Sequence, residues 1–296
     1  IMKKSFSLLI LSLLLVTFTS CGGDDNNPEI QIVNGNGYTS TSYVTLHPYN
    51  EVITKGNFNI IYEQSYNEEY KIHITGESNI IPYIDFRVNN GVLNIASASG
   101  VQLNTTLPID IVLTSPSDVS FKVYDMSNVK LQHINNDKTF NVSMMGDGYL
   151  YIDSVKCEKI TMNLSGTSIL EANVLTSNYL NVSLNSSSKA QLHDLNVTNL
   201  EVVSAGPGDC SISGVAHSSL FRTQSSGTIK SADETFIDND LVSKSCSILI
   251  ESTGKIYVNA TEVLEGKIIG AGSLYYRGDV EPNVVLSGVG KIYKLN

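Results

Sequence analysis

The chain has 296 residues, of which 29 are acidic and 19 are Lys or Arg, so its formal net charge at pH 7 is −10. This acidic balance, without a basic cluster, argues against nucleic acid or an anionic lipid surface as the partner. The 4 cysteines follow no metal-binding spacing and predict no disulfide framework, so neither a metal nor another cofactor is expected.

The N-terminus has the three parts of an export signal. Lys3 and Lys4 form a basic start, residues 6–18 are almost entirely apolar, and small residues precede Cys21. The apolar run is shorter than the roughly 20 residues that a membrane-spanning helix needs. The motif resembles the lipobox of bacterial lipoproteins, which implies that residues 1–20 are removed and that lipid on Cys21 holds the protein on a membrane. A non-cleaved anchor is the alternative.

The segment after Cys21 is polar and acidic, and residues 21–40 are therefore predicted to be a flexible tether. Asp24 and Asp25 lie close to the cysteine, an arrangement that resembles the surface-export signal of Bacteroidetes lipoproteins. The resemblance implies an outer-membrane lipoprotein that is exposed at the cell surface, with the periplasmic face as the alternative.

Residues 41–118 alternate apolar and polar side chains in short runs, which is typical of β-strands. Phe86 and Val88 precede the turn Asn89–Gly91, and Leu93 and Ile95 follow it, which predicts a hairpin with a primed turn. We interpret this region as an antiparallel β cap that covers one end of the repeats that follow.

Residues 119–296 repeat at intervals of 18–20 residues, with one interval of 27. Each repeat contains a small-residue turn, and apolar residues recur at fixed offsets from it. The second turn residues are Gly148, Ser168, Ser188, Gly208, Gly227, Gly254, Gly272 and Gly290. Repeats this short cannot bury an apolar face alone, so they must stack. The sequence therefore predicts an all-β fold, a right-handed parallel β-helix or solenoid of about 18–20 residues per coil. A meander of antiparallel hairpins is the alternative.

The apolar columns account for Cys210 and Cys246, which stand where other repeats have Leu, Ile or Phe and are predicted to be buried. Cys157 lies near a predicted corner. Folds of this kind also host polysaccharide lyases and glycosidases, so an enzyme is the alternative function. Asp153 and His193 share a predicted outward column but lie two coils apart, and no catalytic residue is assigned.

One outward column ends in three tyrosines, Tyr257, Tyr275 and Tyr293. They are predicted to stack as an aromatic ladder, which either stabilises the end of the repeats or binds sugar rings or a protein partner.

The closing stretch GKIIGAGSLYYRGDVEPNVVLSGVGKI, together with YKIHITGESNIIPYIDFRVNNGVLNI and the Gly-rich turns, resembles the DUF2807 family, labelled putative auto-transporter adhesin, head GIN domain. The resemblance covers about residues 50–294 and is weaker in the middle repeats, where Ser replaces Gly in the turns. It implies an all-β, solenoid-like cell-envelope protein of Bacteroidetes and carries over no catalytic residue.

These features together predict a cell-surface lipoprotein that acts as a non-catalytic binding or adhesion module, for glycans or for host or envelope proteins. A polysaccharide-active enzyme and a purely structural envelope protein are the alternatives.

Overall fold

The computed structural model describes residues 30–65, 67, 69–116, 119–232 and 240–295. Within these ranges the chain is all-β, as predicted, and its only helical element is the 3-10 turn Ile81–Tyr83. None of the described segments is a helix long and apolar enough to cross a membrane. The predicted signal peptide and Cys21 lie outside the described residues.

The strands before Val119 are short. They are β1 (Gln31–Asn34), β2 (Thr39–Thr45), β3 (Glu51–Gly56), β4 (Asn59–Gln64), β5 (Lys71–Glu77), β6 (Ile84–Asn89), β7 (Val92–Ser97), β8 (Val101–Asn104) and β9 (Asp110–Ser115).

The later strands lengthen in the middle of the chain. They are β10 (Ser120–Asp125), β11 (Asn128–Asn135), β12 (Thr139–Gly146), β13 (Tyr149–Lys156), β14 (Lys159–Gly166), β15 (Ile169–Leu184), β16 (Lys189–Ser204), β17 (Asp209–Thr223), β18 (Thr228–Lys230), β19 (Leu241–Ile250), β20 (Lys255–Ile268), β21 (Ser273–Arg277), β22 (Asn283–Leu286) and β23 (Lys291–Lys294).

From β10 onward each segment pairs in parallel with the segment one repeat later. Ladder A is the run of parallel pairs that contains Phe140, Ile160 and Leu180, and ladder B is the run that contains Leu150 and Leu170. Successive side chains of a strand point to opposite faces, so every second residue enters the shared core.

The predicted apolar columns coincide with the register of these ladders. The column four residues before the turn runs, in direct pairs, through Met144, Leu164, Leu184, Ser204, Thr223, Ile250, Ile268 and Leu286. The column two residues beyond the turn runs through Leu150, Leu170, Ala190, Cys210, Ile229, Ile256, Leu274 and Ile292.

One column breaks where the sequence predicts that it continues. Seven residues beyond the turn the repeats predict a buried column in which Val215 follows Leu195, but Leu195 pairs with Gly214 and Val215 is 50 % exposed. A register shift of one residue between Leu192 and Leu195 turns the following side chains to the other face. Ala216 takes the buried position instead.

The turns between ladder A and ladder B also stack on one another. Ile169 N donates to the carbonyl of Gly148 at 3.0 Å, and Lys189 N donates to that of Ser168 at 2.9 Å. A Cβ on Gly208 would lie 2.1 Å from the carbonyl oxygen of Ser188. The small residues of the repeat therefore allow the backbones of successive turns to approach closely.

Parallel pairing begins before the predicted boundary at residue 119. Strands β3 and β4 pair in parallel with β10 and β11, and β7 and β9 extend these ladders on the other side. Antiparallel pairing is confined to β2–β5, β5–β9 and the β6–β7 hairpin. In the hairpin Asn90 and Gly91 have φ of 51° and 78°, as the primed turn requires.

Strands β1 and β8 form an arm. Strands β1 and β8 pair in parallel as a separate two-stranded sheet. The predicted tether of residues 21–40 therefore overlaps with β1, while residues 21–29 lie outside the described residues. Pairing of Gln31 with Val101 and of Val33 with Leu103 orders this part of the chain.

Candidate functional site

The three tyrosines singled out by the sequence lie in one outward column of ladder B. Tyr257 pairs in register with Tyr275, and Tyr275 pairs with Tyr293. The ring centroids are 4.4 Å apart in the first pair and 5.0 Å in the second, with planes 7° and 17° from parallel. Stacked rings cover each other's faces, and Tyr257 is 7 % exposed while Tyr293 is 40 % exposed. The accessible part of this tyrosine ladder is therefore its Tyr293 end and its ring edges.

The same outward column begins with another aromatic stack in the N-terminal region. Tyr43 and His73 are direct antiparallel partners, with ring centroids 4.6 Å apart and planes 2° from parallel. Tyr43 is 77 % exposed. The sequence does not predict this stack, because the antiparallel pairing of β2 with β5 leaves no repeat to align.

A further aromatic pair, Tyr149 and Tyr151, lies in the middle of this face. The Tyr149 hydroxyl donates to Glu171 Oε2 at 2.7 Å, and Asn173 Nδ2 donates to the Tyr151 hydroxyl at 2.6 Å. Each partner is two residues past the direct register partner on β15, so both rings lean across to that strand. Burial and the bond to Glu171 raise the pKa of Tyr149 to about 12, which keeps the phenol a donor.

A shallow depression of about 390 Å³ adjoins these two rings. Its lining, which we call the central cluster, consists of Asn59, Ile60, Ile61, Asn128, Val129, Lys130, Tyr149 and Tyr151. The Lys130 ammonium lies 5.5 Å from the centroid of the Tyr151 ring. Tyr151 was part of a predicted outward column, but Tyr149 was missed because the aligned residues Ile169 and Lys189 are not aromatic.

Asp153 and His193 are not brought together. The register of ladder B separates them by two strands, and Asp153 Oδ2 instead lies 3.2 Å from Nδ1 of His133. The same Nδ1 is 2.8 Å from Ser154 Oγ. In a catalytic triad the acid and the nucleophile contact different nitrogens of the histidine ring. Here Asp153 and Ser154 both contact Nδ1 of His133, so the group lacks the geometry of a triad.

A buried ion pair lies beside the start of β19. Arg277 Nη1 donates to Asp240 Oδ2, and the Asn259 amide donates to the same oxygen at 3.0 Å. The side chains of Arg277 and Asp240 are 11 % and 0 % exposed. This arrangement fixes the chain where it re-enters the sheet.

Cys210 and Cys246 are buried free thiols, as the repeat predicted, and burial raises the pKa of both well above its usual value. Cys157 is also buried, and its thiol donates to the carbonyl of Lys159 at 3.2 Å. No group of three or more His, Cys, Asp or Glu side chains suited to a metal ion occurs among the described residues.

A pocket of about 430 Å³, the arm pocket, lies between the β1–β8 arm and the turn from β3 to β4. Its apolar lining consists of Ile30, Phe58, Val101, Leu103 and Ile109. Ile30 is 61 % exposed at its mouth.

The buried carboxylate of Glu77 fastens the arm. It accepts hydrogen bonds from Gly37 N at 2.6 Å, Thr106 N at 2.8 Å, Thr106 Oγ1 at 2.7 Å and Leu107 N at 3.3 Å. Desolvation alone would raise the pKa of Glu77, but these bonds together outweigh it and lower the pKa to about 2.

Solved structures of bacterial proteins share this fold. A putative lipid binding protein from Parabacteroides distasonis is 22 % identical, with a TM-score of 0.64 over 90 % of this chain and 100 % of its own. A putative adhesin from the same organism is 20 % identical with a TM-score of 0.65, and one from Parabacteroides merdae is 19 % identical with a TM-score of 0.61. Each covers 90 % of this chain and 100 % of its own. No curated protein matches the chain.

The family model described as putative auto-transporter adhesin, head GIN domain, matches residues 48–235 and 172–280. These ranges include β3 to β21, and leave out β1 and β2 at one end and β22 and β23 at the other. The chain therefore belongs to the DUF2807 family, as its turns and closing stretch indicated.

Proposed function

We propose that this protein is a non-catalytic binding or adhesion module of the cell surface, which binds glycans or proteins through the outward face of ladder B. The observation that carries the proposal is the tyrosine ladder, which places aromatic side chains in one line on a flat sheet face. Aromatic rings on a rigid β-surface bind sugar rings and apolar side chains without reordering. The family's description as an adhesin supports a binding role.

The accessible end of the ladder gives the sharpest test. Tyr293→Ser and Tyr275→Ser, introduced together, are expected to abolish binding in a screen of glycans and host-matrix proteins. Tyr179→Ser is the matched control, because Tyr179 is 49 % exposed in β15 and its segment belongs to ladder A. Unchanged binding by the double variant would exclude the ladder as the binding surface.

The N-terminal sequence supports a proposed placement for the module. Cleavage before Cys21 and lipid on its thiol would hold the protein on the outer membrane, with the acidic segment as a spacer. Metabolic labelling with a fatty-acid analogue tests this, and Cys21→Ala is expected to remove the label and release the protein from the membrane fraction.

The arrangement of the ladders is part of the proposal. Parallel pairs that recur mostly every 18–20 residues support a right-handed parallel β-helix. An experimental density map tests the path and its hand, and a left-handed path or closure into separate sheets would contradict it.

Lipid binding is a second candidate function, which the arm pocket favours. Its volume of about 430 Å³ is in the range of small-molecule sites, and apolar side chains form about half of its lining. One structural neighbour is named a putative lipid binding protein. A fluorescent fatty acid is expected to bind the protein, and Ile30→Asn should weaken binding. Ile32→Asn is the matched control, because Ile32 is 59 % exposed on the same arm but does not line the pocket. Equal binding by both variants would exclude the arm pocket.

A further inference from the structure

We propose that the central cluster is a separate sugar site, which binds a six-membered sugar ring that carries a carboxylate, as in a hexuronate residue. The inference rests on the proposed binding function and adds a second position on the same face. It also commits this position to one class of ligand.

The shape of the cluster suits a single sugar ring. The depression of about 390 Å³ lies beside Tyr149 and Tyr151, with Ile61 between the polar side chains of its lining. A pyranose has faces of C–H groups that pack on aromatic and aliphatic surface, and a rim of hydroxyls that needs hydrogen bonds.

Both rings are held in place before any ligand arrives. Tyr149 is tied to Glu171 and Tyr151 to Asn173. In contrast to the tyrosine ladder, neither ring stacks on another aromatic ring within the described ranges. Their surfaces are therefore not covered by a neighbouring aromatic ring, and they lose little side-chain freedom on binding.

An amide relay supplies polar contacts on the opposite side of the depression. Asn128 Nδ2 donates to Asn59 Oδ1 at 3.2 Å, and Asn59 Nδ2 donates to Asp110 Oδ1 at 2.9 Å. The relay orients the Asn128 amide and uses one of its two N–H donors, so its Oδ1 is positioned as an acceptor for a sugar hydroxyl.

Lys130 is the one charged side chain in the lining of the depression, and it favours an anionic sugar. Lys130 makes no ion pair with a carboxylate in the described part of the chain. The carboxylates of Glu171 and Asp110 do not line the depression, and they accept hydrogen bonds from Tyr149 and Asn59. A ligand carboxylate would give the Lys130 ammonium the charge-assisted partner that the described residues do not provide.

Isothermal titration of the purified protein with a hexuronate trisaccharide, and with a neutral trisaccharide of the same linkage, tests the inference. The test variants are Lys130→Gln and Tyr149→Ser. Their controls are Lys159→Gln, an equal charge change at an exposed lysine of ladder A, and Tyr179→Ser. A third variant carries Tyr275→Ser and Tyr293→Ser.

The unaltered protein is expected to bind the hexuronate more tightly than the neutral sugar. Lys130→Gln should weaken the hexuronate by about tenfold and leave the neutral sugar unchanged, and Tyr149→Ser should weaken both. The control variants and the ladder variant should bind as the unaltered protein does.

Equal affinity for the two sugars, or equal affinity of Lys130→Gln and Lys159→Gln for the hexuronate, would overturn the inference. The inference would also be overturned if only the variant with Tyr275→Ser and Tyr293→Ser lost hexuronate binding. Tighter binding of an acidic peptide, added as a competitor, than of the hexuronate would overturn it as well. Failure of the proposed binding function would give a different result: no glycan or matrix protein would bind in the screen. A positive screen without hexuronate binding therefore refutes the central site alone.

Discussion

The ring of Tyr275 stacks on the ring of Tyr257, with centroids 4.4 Å apart and planes 7° from parallel. The separation is close to the roughly 4.8 Å between paired strands, so the stack forms without distorting the sheet. We expect the two rings to stabilise each other by about 0.5–1.5 kcal/mol beyond their burial. A double-mutant cycle with Tyr257→Leu and Tyr275→Leu, measured by chemical denaturation, yields this coupling free energy.

The control cycle pairs Tyr257→Leu with Tyr179→Leu. These tyrosines lie on different ladders, so their effects on the free energy of unfolding should add. Additivity in the first cycle as well would show that the stack contributes no stability, and that the tyrosines are retained for another reason.

The arm is expected to detach at low pH. The pKa of Glu77 is about 2 in the folded protein, below the usual 4.5. A lowered folded-state pKa stabilises the arm fully above about pH 4.5, and this stabilisation is lost as the pH falls from there towards 2. Limited proteolysis near Gly37 and Thr106, at pH values from 6 to about 2.5, should show increasing cleavage.

Glu77→Gln provides the comparison for this effect. The amide keeps the size of the side chain but replaces one acceptor with a donor that faces backbone N–H groups. The variant should be cleaved at neutral pH with little further pH dependence. If it keeps the protection and the pH profile of the unaltered protein, the carboxylate does not fasten the arm.

Substitution of a corner glycine should destabilise the stacked turns. A Cβ on Gly272 would lie 2.3 Å from the carbonyl oxygen of Gly254 and 2.4 Å from Ile250 Cγ2. We expect Gly272→Ala to lower the free energy of unfolding by about 1–3 kcal/mol. At Gly76 the nearest atoms are 3.7 Å away, so Gly76→Ala should be neutral or slightly stabilising. Similar denaturation midpoints for the two variants would contradict this account of the turns.

The sequence predicts the repeats well because each column is a local pattern. Alternation along a strand and one small-residue turn determine which side chains enter the core, and this places even Cys210 and Cys246 correctly. The prediction for Val215 is wrong because a bulge beside Gly214, which has a φ of 117°, changes the face of the following residues, and the turn pattern of the repeat does not include this glycine.

The site is less predictable, because its parts come from separate segments. The tyrosine ladder follows from one column of the repeat, but the hydrogen bond of Tyr149 depends on a side-chain orientation that reaches Glu171 on the next strand. The Glu77 anchor joins Gly37 and Thr106, which lie in other loops. Such contacts depend on the antiparallel cap and on side-chain rotamers, neither of which has a periodic signal.

Two buried serines should respond to alanine in opposite ways. Ser177 is 6 % exposed, and its Oγ has no hydrogen-bond partner in the described part of the chain. Its register partner one repeat later is Val197, followed by Ala216, so the position accepts an apolar side chain. Ser177→Ala removes an unsatisfied hydroxyl from the core and is expected to raise the free energy of unfolding by about 1 kcal/mol.

Ser243 is equally buried, but its Oγ lies 2.6 Å from Ser219 Oγ. Ser243→Ala leaves the Ser219 hydroxyl buried without this partner and should lower the free energy of unfolding by about 1–3 kcal/mol. Replacing both Ser219 and Ser243 with alanine also removes the unpaired Ser219 hydroxyl, so this double variant should recover most of the lost free energy of unfolding. Urea denaturation of Ser177→Ala, of Ser243→Ala and of the variant with both Ser219→Ala and Ser243→Ala measures the three changes in the free energy of unfolding. If Ser177→Ala destabilises the protein as much as Ser243→Ala does, the Ser177 hydroxyl has a hydrogen-bond partner in solution, which would contradict the prediction.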